Sequence, residues 1–217
     1  MTIVEQLFLL LTRADGKVES VSGQNELALR AAVLNDLLLA GRVRFSPSET
    51  PEVVVADASP VGHPALDQAL ARIIQTRGDR NLQTLASLVG DSEIQPKVGT
   101  VDVLAQAGVI GVQDRVLLAD KYPELDPRPE AAIREGLRAV LAGATPDLQQ
   151  AAILTILQTI ERAHVVLDHE RGGLSRRQLK ERIRQAAGQT PARSALAAEL
   201  ERVTAVLITM ITTTSTT

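Results

Sequence analysis

A helix–glycine–strand pattern occurs twice in this 217-residue chain, and it constrains the fold more than any other feature. Residues 36–45 read DLLLAGRVRF, and residues 102–112 read DVLAQAGVIGV. Gly41 and Gly108 each follow helical apolar spacing and precede alternating apolar residues, as expected of a glycine that ends a helix before a strand. A second apolar run ending in Ala-Asp follows each of them. The sequence therefore predicts two helix-plus-hairpin units, without the regular spacing of a repeat array.

Helical apolar spacing dominates the rest of the chain. Residues 145–167 form the longest such segment, and its middle is apolar on nearly all sides, which is typical of a central buried helix. We expect this helix to begin at Thr145 as N-cap and to bury Leu154 and Ile156. Other helices are predicted at residues 3–11, 24–40, 63–76, 81–90, 95–107, 126–143, 175–187 and 192–212.

Aromatic residues are scarce, and this also favours helices. Only Phe8, Phe45 and Tyr122 are present, so the core must be built from Leu, Val, Ile and Ala. We predict a mainly α fold: one globular domain over residues 1–212 with two small β-hairpins, followed by a disordered tail over residues 213–217. The same scarcity removes the aromatic platforms on which single-stranded nucleic acids stack, so no nucleic-acid partner is expected.

The composition argues against catalysis and metal binding. The chain has no cysteine, which excludes disulfides and thiolate chemistry, and it has neither a glycine-rich phosphate loop nor an HExxH motif. His164 and His169 are five residues apart, which does not align them on one helix face. We therefore predict no catalytic residues, no metal and no cofactor.

One segment departs from the overall charge of the chain, which is −3. Residues 171–184 carry six basic residues against the single acid Glu181. Such a face either meets an anionic surface or is simply a solvated side of a helix. We call its cations Arg176, Arg177, Lys180 and Arg184 the auxiliary basic face.

No segment has the features of a signal peptide or the length to span a membrane, which predicts a cytoplasmic protein.

A series of stretches carries a pattern in its order and spacing: residues 2–18, 27–45, 59–70, 103–110, 115–123, 145–167, 176–187 and 196–211. In that order and spacing they resemble the Golgi phosphoprotein 3 family, and the Ala-rich, tryptophan-free composition is similar to its bacterial branch. This resemblance implies a helical domain that binds phosphatidylinositol 4-phosphate head groups at the cytoplasmic face of a membrane. It also implies binding of cytosolic protein tails, as in eukaryotic members, and it leaves open whether the chain forms a homo-oligomer.

The resemblance assigns head-group binding to two residues. The family's pocket arginine in the second helix matches Arg30, and one of two further arginines matches Lys97. The other arginine falls on Ile94, and the pocket tryptophan falls near Val21, so two of the four positions keep a cation. Pro96 and Gly99 are expected to weaken the helix that carries Lys97. The arginine-rich N-terminal arm of eukaryotic members is missing.

The sequence is also compatible with other roles for these two residues and for the protein. Arg30 could instead pair with Glu26 one helical turn earlier, and Lys97 could be a solvated lysine. A protein-interaction scaffold without a lipid role fits the same pattern. The two helix–glycine–hairpin units also suggest a winged-helix DNA-binding regulator, but the helices before the hairpins carry too few cations to contact several phosphates.

Overall fold

The computed structural model describes residues 1–13, 15–17, 23–46, 50–79, 83–113, 120–189 and 195–214. Over these residues the chain forms ten helices and one small antiparallel sheet, so the predicted mainly α fold is confirmed. In chain order the elements are α1 (Ile3–Leu11), α2 (Gln24–Leu39), β1 (Val43–Phe45), β2 (Val53–Val55), α3 (Pro64–Gln75), α4 (Leu85–Gly90), α5 (Pro96–Gln106), α6 (Arg128–Ala142), α7 (Leu148–Thr159), α8 (Ala163–Val166), α9 (Arg176–Gln189) and α10 (Ala195–Thr214).

The centre of the domain is formed by α2 and α7. α2 packs against α1, α3, α4, α5, α7 and α10, and α7 also packs against α1, α9 and α10. Leu154 and Ile156 of α7 are 1% and 0% exposed, as predicted. The core around them is almost entirely aliphatic, and its few aromatic side chains include Phe8 and Tyr122, which meet edge to face with ring centroids 5.5 Å apart.

Two glycines end their helices in the same way. Gly41 after α2 and Gly108 after α5 have φ of 69° and 70°, the left-handed conformation that glycine adopts at little cost. In each case the glycine N–H donates to the carbonyl three residues earlier, and the next N–H donates to the carbonyl five residues earlier. This is the Schellman arrangement. The predicted role of both glycines is confirmed.

The strands that follow these glycines differ. In the first unit β1 and β2 form the predicted hairpin. In the second unit the described residues form only isolated bridges, Ile110 with Glu124 and Gln113 with Lys121. The predicted return strand, residues 116–120, ended at Asp120, and residues 116–119 of it lie outside the described residues. The described return pairing therefore comes later in the chain than the sequence pattern placed it.

The central helix is shorter than predicted. It is capped by Asp147 and not by Thr145, because the Asp147 carboxylate accepts the N–H of Gln150 at 2.7 Å and the Gln150 side chain accepts the N–H of Asp147 at 3.0 Å. It ends at Thr159, since Glu161 takes a left-handed conformation with φ of 56°. At the other end of the chain, α10 continues to residue 214, into the segment predicted as a tail, and residues 215–217 lie outside the described part.

Asp36 joins the first turn of α1 to α2. Its carboxylate accepts the N–H of Ile3 at 2.8 Å and that of Val4 at 2.9 Å. Asp36 lies in the last turn of α2, where the helix dipole disfavours an acid, but it faces the first turn of α1, where the dipole favours one. Thr2 and Glu5 complete this end of α1 with a capping box. Together these contacts fix α1 against the centre of the domain.

The two carboxyl groups at this end of α1 have pKa values shifted in opposite directions. Burial raises the pKa of Asp36 to about 7, in spite of the hydrogen bonds that it accepts from the backbone. Burial also acts to raise the pKa of Glu5, but interactions with His63 and Thr2 outweigh it and lower this pKa to about 2. His63 Nε2 lies 3.8 Å from Glu5 Oε1. We call Glu5, Asp36 and His63, all of which are buried, the α1 N-terminal cluster.

Candidate functional site

Arg30 is fixed against the segment that leads into α5. It lies in the second turn of α2, is half-buried, and donates its Nε–H to the carbonyl oxygen of Ile94 at 2.9 Å. The alternative pairing with Glu26 is not seen. Among the residues that the structure describes, none accepts a hydrogen bond from the terminal Nη atoms of Arg30. Those donors are therefore left for an external acceptor.

Lys97 lies in the first turn of α5, and an aromatic ring holds its side chain. Its Nζ is 5.0 Å from the centroid of the Tyr122 ring, within the range of a cation–π contact. Tyr122 is itself 5% exposed and packs on Phe8. The sequence reasoning missed this contact, because nothing in local spacing relates the two residues.

The helix that carries Lys97 is not weakened in the way that the sequence suggested. Pro96 occupies the first helical position, where a missing N–H does no harm. Gly99 allows close packing of α5 on α3, since a Cβ atom there would lie 2.4 Å from the backbone nitrogen of Ala65. The N-cap, Gln95, makes no side-chain hydrogen bond to the first turn. Pro96 and Gly99 therefore fit the start of α5, and no side chain caps the N–H groups of its first turn.

Arg30 and Lys97 thus belong to one junction, between α2 and the start of α5. Arg30 bonds the carbonyl three residues before Lys97, but each cation has a partner of its own and no contact joins the two side chains. The side chain of Ile94 is fully buried, so this position of the family's pocket is part of the core. Val21, near the missing tryptophan, lies outside the described residues. That the two cations share one phosphate stays a prediction.

The auxiliary basic face lies on α9 and belongs to a different part of the domain. α9 packs mainly on α6, α7 and α8, whereas α5 packs on α1, α2 and α3. Two of its exposed cations are paired: Arg176 Nη2 lies 3.2 Å from Glu161 Oε2, and Arg184 Nη2 lies 2.6 Å from Glu181 Oε2. The other two form no ion pair with a described residue. They are Arg177 and Lys180.

The described part of the chain has neither a metal-binding cluster nor a membrane-spanning helix. Within the described ranges, no group of three or more His, Asp or Glu residues is placed to hold a metal ion. In that same part of the chain, no helix combines the length and the apolar character needed to cross a bilayer. A shallow crevice between α7, α8 and α9 is lined by polar residues that include His164, Glu161 and Arg176.

The chain belongs to the Golgi phosphoprotein 3 family. The profile of that family, Golgi phosphoprotein 3 (GPP34), matches residues 3–203 and so includes Arg30, Lys97 and α9. A comparison with curated proteins gave no significant match. The resemblance stated from the sequence is confirmed, and a Golgi phosphoprotein 3-like role follows from it at the level of the family.

Proposed function

We propose that this protein is a non-catalytic adaptor that attaches peripherally to the cytoplasmic face of a membrane by binding a phosphorylated anionic lipid head group. Phosphatidylinositol 4-phosphate, or a lipid with a similar head group, is the proposed ligand. Arg30 and Lys97 are the proposed head-group residues, and the auxiliary basic face on α9 adds attraction to the anionic surface. As in other members of the family, cytosolic protein tails would be the clients.

The position of Arg30 is the observation that carries this proposal. The hydrogen bond from its Nε to Ile94 orients the guanidinium beside the start of α5 and leaves its terminal donors for a ligand. Arginine binds phosphate well because its planar fork matches the phosphate oxygens. The uncapped first turn of α5 adds a positive dipole end, which favours an anion at the same place.

Lys97 would contribute charge more than orientation. Its cation–π contact with the buried Tyr122 ring contributes about 0.5–2 kcal/mol, and Lys97 is itself only partly buried, so a doubly charged phosphate can compete for the ammonium group. A basic residue near an anionic membrane contributes roughly 1 kcal/mol. Two such residues give weak binding that depends on salt, and attachment would draw on further cations.

Vesicle binding by the full chain tests the proposal. The probe is phosphatidylcholine vesicles that contain phosphatidylinositol 4-phosphate, with pure phosphatidylcholine as the reference, in a flotation assay at low and high salt. We expect Arg30→Ala to weaken binding about tenfold, since a hydrogen bond to a charged group contributes about 1.5–3 kcal/mol. Lys97→Ala should have a smaller effect. Arg77→Ala, which removes an exposed arginine after α3, is the matched control.

Two results would contradict the proposal. If the wild-type protein ignores the phosphoinositide vesicles at low salt, head-group binding fails and the scaffold without lipid binding replaces it. If Arg30→Ala and Arg77→Ala reduce binding equally, the protein responds to net charge alone and the Arg30 site is wrong. A salt-dependent shift of duplex DNA without vesicle binding would favour the winged-helix alternative.

A further inference from the structure

The loop after α1 is pressed against the segment that contains Tyr122. The Tyr122 N–H donates to the carbonyl of Gly16 at 2.9 Å. Gly16 has φ of 77°, and a Cβ atom there would lie 2.5 Å from the backbone nitrogen of Pro123. Only glycine allows this approach. The contact therefore sets the residues on either side of Gly16 beside those on either side of Tyr122.

A group of cations surrounds one carboxylate at this contact. Arg13 Nε lies 3.8 Å from Asp15 Oδ1, and Lys17 Nζ lies 3.7 Å from Asp15 Oδ2. The pKa of Asp15 is lowered, first by the hydrogen bond from the Lys17 N–H and then by the charges of Arg13, Lys17 and Lys121. Lys121 directly precedes Tyr122, whose N–H bonds Gly16, so Lys121 also lies at this contact between the two segments. We call Arg13, Lys17 and Lys121 the loop cluster.

The loop cluster is linked to the proposed head-group site through Tyr122. Lys121 precedes Tyr122 in the chain, and the Nζ of Lys97 lies over the Tyr122 ring. The hydroxyl of Tyr122 donates to Asp120 at 3.5 Å, a long contact, so Asp120 is a second carboxylate in this region. Tyr122 is thus linked to Lys97 through its ring and to the loop after α1 through its N–H.

We propose that the loop cluster is a second set of phosphate-binding residues on the surface that carries Lys97, and that Asp15 occupies it until an anionic membrane displaces it. This inference rests on the proposed function, because it extends the same surface toward the same kind of partner. The occupant is the phosphate monoester of phosphoinositide head groups in an anionic bilayer. Asp15 then acts as an internal competitor that sets how strongly the surface binds.

The contacts of Asp15 are those of a carboxylate that a ligand can displace from its cations. Its ion pairs are long, and the side chains are 42% exposed for Asp15, 60% for Arg13 and 57% for Lys17. Exposed pairs of this kind hold their members weakly. A phosphate monoester carries about −1.5 to −2 charges at neutral pH against −1 for a carboxylate, so it attracts the same cations more strongly. The loop cluster would also supply cations that the proposed head-group site lacks, since one of the family's arginine positions there is Ile94.

Two variants of the full chain test this inference in the same flotation assay. Asp15→Asn keeps an acceptor for the Lys17 N–H but removes the competing charge, and it should tighten binding to phosphoinositide vesicles about fivefold. The double variant Lys17→Ala/Lys121→Ala should weaken binding about fivefold for each lysine and reduce its dependence on salt. Neither variant should bind pure phosphatidylcholine vesicles.

Charge-matched variants serve as controls. Asp168→Asn removes another exposed aspartate that pairs with a neighbouring arginine, and Arg44→Ala/Arg77→Ala removes two exposed cations elsewhere. Both should change binding much less, since they lie outside the cluster and salt screens charges beyond about 10 Å at 0.1 M ionic strength. Circular dichroism of every variant checks that it is folded.

The results separate this inference from the proposed function. If Arg30→Ala weakens binding while the loop variants match their controls, the inference is wrong and the Arg30 site stands. If the loop variants respond and Arg30→Ala does not, the inference stands and the Arg30 site is wrong. If neither the wild type nor Asp15→Asn binds at low salt, both are wrong. Inorganic phosphate at the concentration of the lipid phosphate should not release the protein from the vesicles. If it does, the loop cluster is a site for free anions, and the assignment to a membrane is wrong.

Discussion

The two ends of α1 carry charged groups that the structure treats in opposite ways. At the N-terminal end, the carboxylates of Glu5 and Asp36 are buried, and Asp36 bonds two backbone N–H groups. At the C-terminal end, Asp15 and the cations around it are largely exposed and are held by long ion pairs. Charge alone therefore does not indicate the role of a residue. Burial and bonding to the backbone assign the first group to the fold and leave the second available for a ligand.

Asp36→Ala should give the largest effect at the buried end. The substitution leaves the N–H groups of Ile3 and Val4 buried without their acceptor, and each such loss costs about 1–3 kcal/mol. We expect the free energy of unfolding to fall by about 2–5 kcal/mol in urea titrations. Asp15→Asn, at the exposed end, is the control and should leave the urea midpoint unchanged. If Asp36→Ala and Asp15→Asn lowered the free energy of unfolding equally, the contrast between the two ends of α1 would be wrong.

The pH dependence of stability follows from the α1 N-terminal cluster. The pKa of Asp36 is raised in the folded state from 3.8 to about 7, so the folded state holds a proton that the unfolded state has lost. This contribution is fully present below about pH 4 and is lost as the pH rises to about 7. Glu5 acts in the opposite sense: its pKa falls from 4.5 to about 2, and its contribution is lost as the pH falls through that range. Together the two groups place maximal stability near pH 4–5.

Urea titrations across this range measure the effect. The free energy of unfolding of the wild type should fall between pH 5 and pH 7 by about 2–3 kcal/mol, because one proton changes it by at most about 1.4 kcal/mol per pH unit. Asp36→Asn cannot lose a proton there, so its stability should change far less over the same interval. A decline of equal size in Asp36→Asn would show that another group titrates.

Most of the helices could be predicted from the sequence, because local rules determine them. Apolar spacing located the helices, and Gly41 and Gly108 stop theirs with positive φ. The errors occurred where another local signal prevailed. Asp147 caps α7 because Gln150 completes its capping box. Glu161 ends α7 in a conformation that the sequence gives no reason to expect, since the residue is not glycine.

The candidate site could be predicted only in part, because its contacts are not local. The family resemblance named Arg30 and Lys97, but Arg30 bonds a carbonyl 64 residues away. No periodic pattern relates Lys97 to Tyr122, or Gly16 to Tyr122. The loop cluster is formed by that last contact. In the sequence, Lys17 and Lys121 are two isolated lysines that only the fold brings to the same contact.

Gly16 tests the contact that forms the exposed end. Gly16→Ala introduces a strained positive φ and a Cβ atom 2.5 Å from the Pro123 nitrogen. Gly41→Ala is the matched control, because Gly41 also has positive φ but nothing lies within 4 Å of its added Cβ. We expect Gly41→Ala to cost about 1–2 kcal/mol from conformation alone, and Gly16→Ala to cost about 1–3 kcal/mol more. Equal losses in urea titrations would show that the approach at Gly16 is not required.

Removal of charge at the exposed end should have the smallest effect on stability. In Asp15→Asn the side-chain oxygen can still accept the N–H of Lys17, so the turn is kept, and the lost ion pairs are long and solvated. We expect its urea midpoint to match that of the wild type at both low and high salt, while its binding to anionic vesicles increases. The exposed end would then affect binding without affecting stability, whereas Asp36 at the buried end affects stability. A midpoint that falls in Asp15→Asn, and falls further at low salt, would show that Asp15 stabilises the loop through its charge, which would make the exposed end structural like the buried one.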